Sequence, residues 1–164
     1  MRRSWLVLIA LLFWSRPASA QVTLTIAFVS DPSGITLSGS GTSSASLSFG
    51  TVQAFGGTVP SGVTKSVAGN SWTLSTPFDV LVQKGALDVI DLLSTSYTLT
   101  ARLQAADIQD TWKFNSVVLS TTAATITATG IYGSTTSYGF SLTVPFSASA
   151  AAISNTINFT AVAN

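Results

Sequence analysis

The sequence predicts an all-β chain of about nine strands, arranged as two antiparallel sheets packed face to face, with a closed β-barrel as the alternative. Three observations lead there. Apolar residues alternate with Ser and Thr at period two along most of the chain. Clusters of Gly, Pro, Asn and Asp cut that alternation into short runs. After the leader, no run sustains the i, i+3, i+4 spacing of an amphipathic helix.

The elements follow in order. Arg2 and Arg3, an apolar run from Trp5 to Trp14, and Ala18-Ser19-Ala20 before Gln21 have the plan of a cleaved secretory signal peptide over residues 1–20. That apolar run is well short of the roughly 20 residues a membrane-spanning helix needs, so residues 21–164 are expected to be exported as a single domain without a membrane span. Val22, Leu24, Ile26 and Phe28 share one face of a first strand, which ends at the turn Asp31-Pro32-Ser33-Gly34. A short strand over 35–38 and a third over 45–49 follow. Phe55, Gly56, Gly57, Pro60 and Gly62 fall in one stretch, too many breakers for a regular element, so a recognition loop is expected there.

Trp72 and Leu74, then Phe78, Val80 and Val82 beyond Pro77, form the next inward set, with Pro77 suited to an edge or a bend. The segment 85–93 reads as a short helical turn or an irregular apolar crossing. Tyr97, Leu99, Ala101 and Leu103 form a strand expected to be central. Trp112 and Phe114 lead through Asn115-Ser116 into 117–120, a tight hairpin, because Asn tolerates the left-handed conformation of a two-residue turn. Strands around Ile126 to Ile131, Tyr138 to Val144 and Ile157 to Ala161 complete the chain.

Composition narrows the chemistry. The chain has no Cys, so the core and the sheet hydrogen bonds must supply its stability without disulfides. It has no His and no Glu, so the commonest general base and metal ligand are missing and a Ser-His-Asp hydrolase is ruled out. Beyond residue 20, Lys65, Lys84, Arg102 and Lys113 stand against six aspartates, a net charge of minus two with no basic footprint for nucleic acid. No cofactor site, metal site or catalytic constellation emerges, and the chain is read as a non-enzyme.

Two groups of residues carry a weaker chemical suggestion. Asp88 with Asp91, and Asp107 with Asp110, are carboxylate pairs that offer oxygens to calcium or an acid and base to a glycosidic bond, although neither matches a calcium loop, and solvated turns explain them as well. Trp72, Trp112, Tyr132 and Tyr138 offer a platform for stacking on sugars, but Trp72 and Trp112 fall on the inward phase of their strands, where core packing accounts for them. Asn158-Phe159-Thr160 fits the Asn-glycosylation pattern by chance.

Leu47-Ser48-Phe49-Gly50-Thr51-Val52 and the closing run Ala151 to Thr160 resemble the spore coat protein U domain family and related secreted, pilin-like bacterial domains. The chain differs in lacking the cysteine pair many such subunits carry near the first strand. The resemblance implies an immunoglobulin-like sandwich at the periplasm or bacterial surface, with a role in coats, attachment or biofilm and with chaperone and usher partners. Assembly would then proceed by β-strand addition, with Val22, Leu24, Ile26 and Phe28 as the donor segment and Ile157, Phe159 and Ala161 beside the acceptor edge. The first strand of an independent sandwich alternates in the same way, and a monomeric carbohydrate-binding module is the alternative function.

Overall fold

The computed structural model describes residues 24–28, 36–38, 44–48, 53–56, 58–59, 61–84, 94–149 and 153–164, the first three of these segments by backbone alone. Among the described residues all regular structure is β, and every paired strand is antiparallel.

The described residues form eleven strands: β1 (Leu24–Phe28), β2 (Thr36–Ser38), β3 (Ser44–Ser48), β4 (Thr64–Ala68), β5 (Ser71–Lys84), β6 (Ser96–Leu103), β7 (Thr111–Phe114), β8 (Val117–Val118), β9 (Ala124–Ile131), β10 (Thr135–Pro145) and β11 (Ser154–Ala163). The first sheet runs β1-β5-β10-β7-β8, with β4 also on β5; the second runs β2-β3-β11-β6-β9. This is a two-sheet antiparallel β-sandwich.

The period-two alternation is the reason the two sheets have an inside. Trp72, Leu74, Phe78, Val80 and Val82 of β5 turn inward with Tyr138, Phe140, Leu142 and Val144 of β10 and Trp112 and Phe114 of β7. From the second sheet come Tyr97, Leu99, Ala101 and Leu103 of β6, Ile126 of β9, and Ile157 and Phe159 of β11. Phe114 sits at the centre, edge-on to Phe78 at 5.4 Å and to Phe159 at 5.2 Å between ring centroids. Edge-to-face packing adds about 0.5–1.5 kcal/mol per pair to the area buried. Burial of each such side chain contributes about 1.5–3 kcal/mol, which holds a cysteine-free sandwich together.

Pro77 lies in the middle of the 14-residue β5, opposite Gly139 of β10. The strand accommodates it because Gly139 O accepts from Asn115 N at 2.7 Å, so Gly139 turns its hydrogen bonds toward β7 and Pro77 turns its own side away from β10. On that far side β4 pairs with Ser71–Ser75 and β1 with Val80–Lys84, and no described strand pairs with 76 and 77. The missing N–H therefore points into a gap, as the edge placement of Pro77 anticipates. The Thr76 hydroxyl bonds Pro77 O at 3.2 Å.

The Asn115-Ser116 hairpin forms as expected, with φ of 50° and 67°. Strand β6 is central, between β11 and β9. Its Tyr97 lies against Gly130 of β9 so closely that a Cβ there would come within 2.2 Å of the ring, so only glycine fits. The strand the sequence does not announce is β4: only Lys65 is even half-buried, so it carries no alternation. The segment 85–93 lies outside the described residues.

Candidate functional site

Hydroxyls cluster on the outward phase of the first sheet: Ser71, Thr73 and Ser75 on β5, Thr135, Ser137, Ser141 and Thr143 on β10, with Asp79, Leu81 and Gln83 continuing that face of β5. Thr73 Oγ1 and Thr143 Oγ1 meet at 2.9 Å across the two strands. Between them the facing pair Pro77 and Gly139 interrupts the hydroxyl rows and leaves a shallow, open depression of about 410 Å3. Thr64, Ser75, Ser137 and Ser141 ring it, and Pro77 with Gly139 form its floor. Gly62, at the end of the glycine-rich loop, and Ser116, at the tip of the β7–β8 hairpin, complete the rim. Among the described residues no charged side chain lines it. The alternation in the sequence gives the outward phase of these residues, but a depression arises only where strand pairing sets Pro77 opposite Gly139, a long-range fact.

Of the loop residues singled out in the sequence, Phe55 and Gly56 are described; Gly57 and Pro60 lie outside the described residues. Phe55 is 69% exposed and stacks on Phe146 at 4.8 Å with the rings 19° apart. The loop is held from below by Lys65 Nζ, which donates to Gln53 O at 2.9 Å and to Gly56 O at 2.5 Å. Phe146, which follows β10, carries no sequence signal of its own. The exposed aromatic pair is thus built from Phe55 and Phe146. Trp72 and Trp112 are core residues, Tyr138 is buried and Tyr132 is half-buried against Tyr97 at 5.2 Å.

Tyr97 Oη and Tyr132 Oη have no hydrogen-bond partner among the described residues. Burial, reinforced by the neighbouring Tyr138 hydroxyl, pushes the Tyr97 phenol up to about 12. Lys84 Nζ lies 4.8 Å from the centre of the Tyr132 ring and donates to Ser94 O at 2.6 Å.

Asp107 and Asp110 are brought together, but as architecture. Asp107 Oδ1 accepts from Gln109 N at 3.0 Å and Asp110 N at 2.9 Å, and Oδ2 accepts from Trp112 Nε1 at 2.7 Å. Burial opposes ionisation of Asp107, yet the hydrogen bonds from Asp110, Trp112 and Gln109 outweigh it and hold the carboxyl below the usual carboxylate value. Asp110 is pushed up by burial and then by the Asp107 charge, and its Oδ1 has no hydrogen-bond partner among the described residues. Among the described residues no three acidic side chains gather in the manner of a metal site. Asp88 and Asp91 lie outside the described residues.

The sheet margins are the remaining candidates. Strand β1 pairs along its whole length with β5, from Leu24 opposite Lys84 to Phe28 opposite Val80. Val22 lies outside the described residues. Strand β11 pairs with β3 over Ser154–Asn158 and with β6 over Ile157–Ala163. On the side away from β6, residues 160–163 pair with no described strand. Ile157 and Phe159 are buried, and Ala161 is half-buried. Strands β1 and β11 approach within 8 Å between Cα atoms, so they border the same margin of the sandwich. Among the described residues no helix is long and apolar enough to cross a membrane. No protein-family model matches the chain, and no curated protein matches it.

Proposed function

We propose that the protein is an exported, non-catalytic building block or adhesive element of the bacterial surface that joins its neighbours by β-strand addition. The observation that carries this reading is the margin between β1 and β11. A five-residue outer strand borders an inner strand whose residues 160–163 pair with no second described strand. An edge of this kind offers free backbone donors and acceptors to an incoming strand. In the proposed assembly strand β1 leaves β5 of its own chain, and the segment carrying Val22, Leu24, Ile26 and Phe28 lies along β11 of the next, beside Ile157, Phe159 and Ala161. The resemblance to spore coat U and pilin-like domains supports the same reading, with a chaperone and an usher as partners. The signal-peptide plan of residues 1–20 supports export to the periplasm or surface.

The test is removal of residues 21–29 from the exported chain, with assembly followed by electron microscopy and sedimentation. The intact protein should form linear or higher-order assemblies and the truncated one should not. Equal assembly by both, or a monomer in both, overturns the proposal.

A further inference from the structure

We propose that the depression over Pro77 and Gly139 is a binding site for a neutral saccharide, independent of strand addition. The argument begins with two residues the fold does not ask for. Gly139 sits in the middle of an 11-residue strand with φ outside the left-handed region, and a Cβ placed on it meets nothing within 4 Å. A Cβ would fit there, so neither a left-handed backbone nor a Cβ clash explains the glycine. Its partner across the ladder is Pro77, the other poor strand former, at the middle of the longest strand of the sandwich. Glycine inside a strand marks a bulge, a bend or the close approach of another molecule, and the unbroken register of β10 with β5 through Gly139 removes the first.

The lining names the class of that molecule. Hydroxyls of Thr64, Ser75, Ser137 and Ser141, with Ser116 at the rim, surround a floor of proline ring and bare glycine backbone. Hydroxyls donate and accept and rotate to suit either, which matches a ligand that is itself covered with hydroxyls. The lining itself is uncharged; Asp79, opposite Ser137, and Lys113, opposite Ser141, stand outside it on the same face, one of each sign, so a neutral ligand suits the site better than a charged one. A peptide strand is disfavoured here because the β10 backbone forming the floor is already paired on both sides, to β5 and to β7. The Pro77 ring offers the apolar surface on which the C–H face of a sugar ring rests, and a volume of about 410 Å3 lies within the range of small-ligand sites.

The test is an amide-resolved NMR titration of the purified chain with glucose, galactose, mannose, N-acetylglucosamine, maltose and cellobiose at high millimolar concentration. At least one sugar should shift the amides of Gly139, Ser141 and Ser116 in a saturable way. Gly139→Ala should leave the melting temperature unchanged or higher, and Gly139→Val should weaken the sugar response by about tenfold or more. Ser137→Ala with Ser141→Ala, which leaves the floor untouched, should also weaken it and keeps the test alive if Gly139→Val does not fold. Absence of shifts with every sugar, an undiminished response in both the Gly139→Val and the double serine variants, or a lowered melting temperature for Gly139→Ala overturns the site. The chain lacking residues 21–29 should respond to sugar as the intact one does, so loss of assembly and loss of sugar binding are read separately.

Discussion

Asp107 and Asp110 stand three residues apart and their environments push them in opposite directions. For Asp107, whose carboxyl is depressed in the fold, the stabilisation is present above the ordinary carboxylate value, near about pH 4, and is lost as pH falls through the lower folded value. For Asp110, whose carboxyl is raised, the fold favours the protonated form, so its contribution is present below the ordinary value and is lost as pH rises through the folded one. At neutral pH the ionised Asp110 is therefore a burden. Asp110→Asn should raise the melting temperature at pH 7, and the gain should shrink to nothing below about pH 4, as measured by thermal melts across pH. Asp107→Asn places an amide N–H2 among three N–H donors and should destabilise the domain by about 1–3 kcal/mol at pH 7, read by denaturant titration. A gain at neutral pH from Asp107→Asn, or none from Asp110→Asn, would contradict the roles assigned to them.

At the level of elements, strands whose two faces differ in environment were legible, and those without that contrast were not. Strands β5, β6, β10 and β11 bury one face, so their alternation is printed in the sequence. Strand β4 is exposed along nearly all its length and is held by pairing with β5, which no local pattern records. The Asn115-Ser116 turn was legible because a two-residue hairpin needs positive φ and Asn accepts it. Ser116 accepts it less readily, so Ser116→Gly should stabilise the domain by about 0.5–1 kcal/mol in equilibrium unfolding. The candidate sites divide in the same way. The outward serines of β10 follow from phase, whereas the meeting of Phe55 with Phe146, and of Pro77 with Gly139, depends on ladders and loops joining residues far apart in sequence.

Over the whole molecule, few contacts are local. Strand β1 pairs with β5, more than fifty residues later, and β11 is the inner strand that joins β3 to β6. Residues at the end of β11 add to the same seam: the Asn164 side chain donates to Ser96 Oγ and Ala128 O, each at 2.8 Å, and so ties β11 to both β6 and β9. Removing residues 154–164 should abolish cooperative unfolding and not merely lower its midpoint, because Ile157 and Phe159 leave the core and the second sheet splits between β3 and β6. Circular dichroism melts and dispersion of NMR amide signals check this; a sharp melt of the truncated chain would show that the halves hold without their seam.

That seam gives the molecule a built-in order of events. A ribosome or a translocation pore that has released everything except β11 has released a chain whose second sheet is still in two pieces, so locking waits for the tail. On the export route proposed above, such a late-arriving keystone would keep the chain pliable until it has crossed.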